Sequence, residues 1–210
     1  MIKVIPVIIA KDFEELQEKI KKVELYIDWV QLDVMDGQFV ENSTWNNPAD
    51  LKKLETDVNL EVHLMVKNPE SVIDNWIKSG VKRIIIHYES TDKHKEIIEK
   101  IKHAGLEIGI AINPETPIEK VSDFISQLDL ALVMTVQPGL GGQKFLKETL
   151  DKIKQLRNKY KNVNIEADGG INLKTAKKVI QVGANLLAIG TAIFKSDDIE
   201  KTIKELKLCH

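Results

Sequence analysis

Two aspartates at the ends of apolar segments have the residue type and setting needed for acid–base chemistry. Asp33 lies in the segment QLDVM, where the alternation of side chains along a strand places Gln31, Asp33 and Met35 on one face. Asp168 lies in the segment EADGG, directly before two glycines. Because an unpaired carboxylate in an apolar strand is costly, Asp33 is expected to have a partner or a chemical role.

A histidine on the next apolar segment is a candidate metal ligand. In the segment EVHLM, the same alternation turns His63 and Met65 to the face that carries Asp33 and Met35. A single histidine in a strand is more often a packed core residue. Beside an inward aspartate at the end of a neighbouring strand, it indicates a metal pair instead.

The elements that must position these side chains follow a regular rhythm. Short runs rich in Ile, Val and Leu alternate with amphipathic Lys/Glu-rich segments, which is typical of parallel strands connected by helices. We predict a helix-like segment after each strand, with start signals at Asn68-Pro69, Thr116-Pro117 and Asn172. The predicted strands cover residues 3–9, 29–35, 59–66, 83–87, 107–112, 130–136, 164–167 and 185–189.

An open doubly wound sheet shares this alternation, but eight near-equal units in 210 residues favour a closed (β/α)₈ barrel. We therefore predict one barrel domain over residues 1–210, with its active site at the C-terminal ends of the strands. The second and seventh strands are three steps apart, about 135° around the axis, so Asp33 and Asp168 are expected to face each other across the mouth. Such a pair can remove a proton alpha to a carbonyl and return one from the opposite side, as an epimerase requires.

Glycine-rich segments follow the last three predicted strands. Each of them alone is explained by a tight turn. On consecutive loops of a barrel, their backbone N–H groups indicate a phosphate site. The residues concerned are Gly139, Leu140, Gly141 and Gly142, then Gly169 and Gly170, then Gly190 and Thr191.

The composition excludes several classes of protein. The formal net charge of −2 provides no general field for nucleic acid or an acidic membrane surface, so we expect a small-molecule partner. The single cysteine, Cys209, excludes an internal disulfide and suits the cytoplasm. The apolar run near the N-terminus is too short for a signal peptide, and no run reaches membrane-spanning length.

Together these motifs resemble the ribulose-phosphate 3-epimerase family. LDVMDGQFVEN, EVHLMV, INPETP, MTVQPGLGGQKF, EADGGIN and IGTAIF occur in the order of that family and at similar spacing over nearly the whole chain. The resemblance implies interconversion of D-ribulose 5-phosphate and D-xylulose 5-phosphate through an enediolate. It further implies a divalent metal, zinc first and manganese, iron or magnesium as alternatives, and a homo-oligomer.

The resemblance also assigns roles to residues of this chain. Asp33 matches the proton acceptor of the family and Asp168 its proton donor, and both match metal ligands. His63 matches a further metal ligand, which also lies at the substrate-binding site. The glycine-rich segments match those that bind the substrate phosphate: Gly139, Leu140, Gly141, Gly142, Gly169, Gly170, Gly190 and Thr191.

Two positions depart from the family pattern. Gln31 stands where the family places a fourth ligand, a histidine, and Val7 stands where it places a serine. One hypothesis keeps the metal, with water or Gln31 completing its shell. A second uses Gln31 as a hydrogen-bond donor without metal. A third changes the substrate to another ketose phosphate such as D-allulose 6-phosphate.

Two other functions remain open on the sequence alone. A phosphate-binding barrel with impaired catalysis would explain Val7 and Gln31, although packing gives no reason to retain both aspartates and His63. A lyase or synthase would need a lysine at a strand end, and only Lys67 stands near one.

Overall fold

The computed structural model of the protein describes residues 2–209. Its eight strands are all parallel and form a closed barrel in the order β1 to β8, so the predicted barrel is confirmed. The strands are β1 Lys3–Ile8, β2 Trp29–Met35, β3 Asn59–Met65, β4 Arg83–His87, β5 Glu107–Ile112, β6 Leu130–Met134, β7 Asn164–Asp168 and β8 Leu186–Ile189.

The predicted strand ends are correct to within two residues. The largest difference is at β6, which ends at Met134 rather than at residue 136, while β7 continues through Asp168. Thr135 accounts for both changes, because its backbone N–H and its hydroxyl donate to the Asp168 carbonyl at 2.6 and 2.9 Å. Asp168 is thereby held as the last strand residue.

The helices pack around the outside of this barrel. They are α1 Phe13–Val23, α2 Ile73–Ile77, α3 His94–His103, α4 Thr149–Lys159, α5 Leu173–Gln181, α6 Thr191–Phe194 and α7 Ile199–Lys207. Among residues 2–209 there is no helix with the length and apolar character needed to cross a membrane.

The helix-like segment predicted after every strand is an α-helix at all but two places. The connections after β2 and β5 contain only 3₁₀ turns, at Pro48–Lys53, Ile118–Val121 and Ile125–Gln127. Apolar side chains from these connections cover the barrel in place of a helix face. Trp45, for example, is buried with its ring centroid 6.0 Å from that of Trp76.

The three predicted helix start signals have different outcomes. Asn172 is confirmed as the N-cap of α5, because its side chain accepts from the backbone N–H groups of Lys174 and Thr175 in a capping box. Asn68 makes no such bond; its backbone is left-handed, with φ of 54°. Pro117 precedes a 3₁₀ turn rather than an α-helix, and no side chain caps that turn.

The barrel interior has an apolar side and a polar side. On the side of β5 and β6, Ala111, Leu132 and Met134 belong, together with Ile85 of β4, to a buried apolar cluster separate from the main core that lies between barrel and helices. On β2, β3, β4 and β7, other buried positions of the interior are polar or charged: Gln31, Asp33, Glu61, His63, Arg83, His87, Glu166 and Asp168. The sheet therefore concentrates its polar groups at one part of the interior.

A buried ion-pair network lies one layer below Asp33 and His63. Arg83 donates from Nη1 to Glu61 Oε2 at 2.5 Å and from Nε to Glu107 Oε2 at 2.7 Å. Its guanidinium also lies 4.2 Å from the Trp29 ring centroid. Burial, and then the charge of Glu61, raise the pKa of the nearby Glu166 carboxyl well above its ordinary value. Arg83 is therefore the cation that compensates this group of carboxyls.

Replacement of the buried cation tests this compensation. We expect Arg83→Met to lower the free energy of unfolding by about 3–5 kcal/mol, because Glu61 is left buried without its partner. Lys204→Met is the control: it removes an exposed ion pair with Glu200, which is worth at most about 1 kcal/mol. Urea denaturation followed by tryptophan fluorescence measures both. An equal, small effect of the two changes would contradict the compensating role of Arg83.

Candidate active site

Strand register places the predicted chemical groups in one layer at the C-terminal mouth of the barrel. Asp33 pairs in register with His63 on β3, and Asp168 ends β7 on the other side of β8 and β1. All three side chains are buried, His63 completely. Their ligand atoms lie within 4.8 Å of one another, so the structure brings the three predicted residues together.

His63 and Gln31 join the two aspartates. His63 Nδ1 lies 3.2 Å from Asp33 Oδ1 and 3.5 Å from Asp168 Oδ2. Gln31 Nε2 donates to the same two oxygen atoms, at 2.8 Å each, and lies 3.4 Å from His63 Nδ1. One amide group therefore cross-links the carboxylates of β2 and β7, and no other assignment of its nitrogen and oxygen suits two acceptors.

The electrostatics of this group follow from burial and short distances. Burial raises the pKa of Asp33, and the charge of Asp168 raises it further, against the opposing effect of the His63 contact. Burial alone would lower the pKa of His63, but its contacts with Asp168 and Asp33 outweigh burial and raise the pKa to about 9. In the absence of a metal ion, the two carboxyls thus face a protonated imidazole at neutral pH.

The same group of atoms could hold a divalent metal ion. Asp33, His63 and Asp168 supply two carboxylates and one imidazole, a combination that zinc, manganese and iron all accept. Gln31 Oε1 is also buried and has no hydrogen-bond partner within residues 2–209. Because Nε2 is the atom that faces the two carboxylates, Oε1 could join this set only if the amide group turned over. The two carboxylates and the imidazole by themselves fit a divalent metal.

A cavity opens directly above these side chains. Asp33 and Asp168 form part of its floor, and Met35, Met65 and Met134 lie along its walls. The glycine-rich segments close the other side: Gly139, Leu140, Gly141, Gly142, Gly169, Gly170, Gly190 and Thr191 all line this cavity. The prediction that these three loops meet at one site therefore agrees with the cavity.

Two of these glycines are required by the backbone. Gly169 has φ of +116°, and a Cβ atom there would lie 2.4 Å from Val136 Cγ2. Gly170 has φ of +65°, and its Cβ would lie 2.8 Å from the backbone nitrogen of Phe145. Helix α4 begins only at Thr149, so no helix N-terminus follows directly on Gly139–Gly142, and the backbone of that loop must itself provide the N–H groups. Helices α5 and α6 begin directly after the other two glycine-rich segments, at Leu173 and Thr191.

The two departures from the family pattern lie side by side. Val7 on β1 pairs in register with Gln31 on β2, and both are buried. Val7 also lines the cavity, opposite the methionine wall and next to Gly190, whose added Cβ would lie 3.7 Å from Val7 Cβ. The change therefore replaces a hydroxyl of the pattern by an apolar surface at this corner.

Of the groups beside His63, the sequence indicated only His87, as a residue that ends the fourth strand and could reach the mouth in a supporting role, and Glu89 was missed. His87 at the end of β4 is fully buried, with Nε2 2.8 Å from His63 Nε2, and Glu89 follows it on a 3₁₀ turn. The inward parity of His87 was a usable signal. No such signal existed for Glu89, because it lies in a loop, and the alternation of side chains along a strand does not predict where loop residues point.

Comparisons with known proteins agree with this geometry. The sequence model of the "Ribulose-phosphate 3 epimerase family" matches residues 3–194. A ribulose-phosphate 3-epimerase of Schizosaccharomyces pombe is 40% identical over 98% of this chain and 92% of its own length. One of Bacillus subtilis is 40% identical over 99% of both chains.

A solved structure provides an independent comparison of the fold. The crystal structure of a 3-hexulose-6-phosphate synthase superposes with a TM-score of 0.73 and covers 99% of each chain, at 16% identity. That identity is too low to carry more than the barrel architecture. The full-length relatives and the family match show more: the chain belongs to the ribulose-phosphate 3-epimerase family, whose members are isomerases.

Proposed function

We propose that this chain interconverts D-ribulose 5-phosphate and D-xylulose 5-phosphate by moving a proton at C3 between Asp33 and Asp168. The observation that carries the proposal is the pair of buried carboxylates on β2 and β7, held by one amide beneath a cavity with three glycine-rich loops. A cavity of this kind offers acid–base groups at its floor and N–H donors at its rim.

In the proposed reaction, Asp33 accepts the C3 proton of ribulose 5-phosphate. The C3–H bond breaks, its electron pair forms the C2–C3 double bond, and negative charge develops on the C2 oxygen. Protonated Asp168 then delivers its proton to C3 from the opposite face, which gives the other epimer. The raised pKa of Asp33 suits a group that must take a proton from carbon.

Two groups of this chain can stabilise the developing charge. The His63 imidazole lies between the aspartates, and the Gln31 amide offers N–H donors at the same point. Both are fully buried, so they act in a medium of low dielectric and are already oriented.

We further propose that Asp33, His63 and Asp168 hold a divalent metal, with Gln31 Oε1 or water as an additional ligand. When bound, such an ion supplies Lewis-acid stabilisation of negative charge on oxygen. Relative to a pattern with two imidazoles, three oxygens and one nitrogen form a harder set, which shifts preference from zinc toward manganese, iron or magnesium.

The glycine-rich loops are proposed to bind the phosphate. Gly142, Gly170 and Gly190 come from three different loops and line one side of the cavity. Because Gly142 and Gly170 have positive φ angles, their backbone turns can aim N–H groups at an anion. The phosphate would thus anchor the sugar with C3 above the aspartates.

Val7 supports a second candidate substrate, D-allulose 6-phosphate. An apolar wall in place of a hydroxyl removes a polar contact, and polar contacts are where similar sugars are distinguished. Comparing kcat/KM for both ketose phosphates with wild type and Val7→Ser separates the candidates. A higher value for ribulose 5-phosphate in both proteins would remove the second one.

The remaining expectations concern organisation. We propose a homo-oligomer, as the resemblance to the family implies, and a cytoplasmic location, since the one cysteine suits a reducing compartment. The single-domain organisation also stays a prediction. Sedimentation analysis of the purified protein tests the oligomer directly.

The first test concerns the two aspartates. In D₂O, we expect the wild type to place one deuterium at C3 of the product, because the proton passes through carboxylates that exchange with solvent. Asp33→Asn and Asp168→Asn should each lower kcat by at least about 10²–10⁴-fold. Asp129→Asn, below the barrel at the start of β6, is the control and should remain active. Substantial turnover by the Asp33/Asp168 double variant would contradict the proposal.

The second test concerns the metal. We expect Gln31→His to bind Zn²⁺ at least about tenfold more tightly than the wild type, because imidazole replaces an amide oxygen as a ligand. Competition with a chromophoric chelator measures the affinity without any activity assay. Met35→Leu, on the same strand and wall, is the control. Equal Zn²⁺ affinities of wild type and Gln31→His would show that residue 31 is not a ligand position.

The third test concerns phosphate binding. At Gly142, φ is +76°, and an added Cβ would lie 3.5 Å from Thr191 Oγ1, so Gly142→Ala adds a methyl group at the cavity without a clash. We expect KM for ribulose 5-phosphate to rise about tenfold with little change in kcat. This is the result expected when an interaction that binds the substrate and the transition state equally is lost. Gly105→Ala has the same φ of +76° and no neighbour within 4 Å, and it controls for backbone strain. Equal KM values in both variants would place the phosphate elsewhere.

A further inference from the structure

His87 ends β4 beside His63 of β3, and it is not among the residues that line the substrate cavity. The two rings face each other through their Nε2 atoms at 2.8 Å, and both side chains are fully buried. Two ring nitrogens at this distance form a hydrogen bond only if one of them carries the proton and the other does not. If His63 Nε2 is the donor, it is protonated both in the imidazolium form and in the neutral form whose Nδ1 can bind a metal ion; if it is the acceptor, neither of these forms is possible.

The surroundings of His87 Nδ1 determine the direction of this bond. Glu89 Oε2 lies 3.4 Å from His87 Nδ1, which is an ion-pair distance rather than a formed hydrogen bond, and neither His87 Nδ1 nor the buried Asn113 Oδ1 has a hydrogen-bond partner within residues 2–209. Burial lowers the pKa of His87 to about 4, so its ring carries one proton at neutral pH. The nearby carboxylate favours that proton on Nδ1, and Nε2 is then left as the acceptor for His63.

Glu89 is held firmly in its anionic form. Its Oε1 accepts from the backbone N–H of Asn113 at 2.9 Å and from the hydroxyl of Thr116. Burial opposes the charge, but these bonds and the His87 contact outweigh burial and lower the pKa of Glu89 to about 2. The carboxylate therefore stays an acceptor at any pH at which the protein is used.

The segment that holds Glu89 is itself fixed. Lys152 donates from Nζ to the carbonyl oxygens of Asn113, Pro114 and Thr116 at 2.7, 2.8 and 2.5 Å. On the other side, the Phe39 ring lies with its centroid 4.8 Å from that of His87.

We infer that Glu89 and His87 are positioning residues for the epimerase, which fix His63 with its Nε2 protonated and its Nδ1 directed at Asp33 and Asp168. The inference rests on the proposed role of His63 at the reacting carbon. It adds a chain of three groups, Glu89, His87 and His63, that runs from the β4 and β5 loops to the two aspartates. His87 does not line the cavity, so it acts through His63 rather than on the substrate.

The variants that test this inference differ in their hydrogen-bonding capacity at one position. His87→Phe keeps an aromatic ring against Phe39 but cannot accept from His63. His87→Gln restores an acceptor, and Glu89→Gln keeps the shape of Glu89 while removing its charge. His94→Gln is the matched control, because His94 is also buried beside Tyr88, where its Nε2 lies 2.8 Å from the Tyr88 carbonyl oxygen, without touching His63.

The direct readout is the ring N–H of His63, observed by ¹H–¹⁵N NMR on protein labelled with ¹⁵N-histidine and assigned by its loss in His63→Gln. We expect a downfield, slowly exchanging Nε2–H signal in the wild type and in His94→Gln, and its loss in His87→Phe. Activity and Mn²⁺ affinity should fall about 10–100-fold in His87→Phe and Glu89→Gln, with partial recovery in His87→Gln.

The outcomes separate this inference from the proposed function. Persistence of the His63 Nε2–H signal in His87→Phe overturns the inference whether or not the enzyme is active. Equal losses in His94→Gln and His87→Phe would assign the effect to packing and also overturn it. If the wild type shows the signal but does not epimerise ribulose 5-phosphate, the proposed function fails while the hydrogen-bond chain stands. If His87→Phe does not fold, the comparison is made between His87→Gln, which keeps an acceptor for His63, and Glu89→Gln, which removes the charge beside His87. Equal activity and Mn²⁺ affinity of Glu89→Gln and the wild type would then overturn the inference.

Discussion

The site depends on how two carboxylates are kept in the interior of a barrel. Asp33 and Asp168 are both buried, and their closest oxygen atoms belong to one group less than 5 Å across. Two negative charges at that distance in a medium of low dielectric would repel strongly. The Gln31 amide and the His63 imidazole offset this repulsion, because each contacts both carboxylates. A divalent cation would offset the same repulsion. These residues therefore fit the site both with and without a bound metal ion.

The interior of the barrel is divided into an apolar part and a polar part, and the two carboxylates lie in the polar part. Strands β5 and β6 contribute apolar side chains, and β2, β3, β4 and β7 contribute the polar ones. Below the aspartates, Arg83 compensates Glu61, while the raised pKa of Glu166 keeps another charge out of the interior. Behind His63, the contact with His87 leads the network out to Glu89 at the loops. The floor of the cavity is thus rigid, and the glycine-rich loops above it supply the adaptable part.

Much of this arrangement could be predicted from the sequence, for identifiable physical reasons. A period of two gave the inward parity of Gln31, Asp33 and His63, and the count of eight units gave the barrel that brings Asp168 near them. The capping box at Asn172 is local and was readable. The 3₁₀ connections after β2 and β5 were not, because their apolar residues are covered by tertiary contacts without helical periodicity. Glu89 lies on a loop, and the cross-link by Gln31 needs side-chain conformations that no pattern encodes.

The central claim is that Asp33 and Asp168 act on opposite faces of one carbon, and isotope exchange in single variants tests it most directly. In D₂O, Asp168→Asn is predicted to exchange the C3 hydrogen of D-ribulose 5-phosphate without forming xylulose 5-phosphate, because Asp33 still removes and returns that proton. Asp33→Asn is predicted to exchange only the C3 hydrogen of D-xylulose 5-phosphate. Exchange of both epimers by the same variant, or interconversion by either variant at a rate near that of the wild type, would contradict a mechanism with one aspartate on each face.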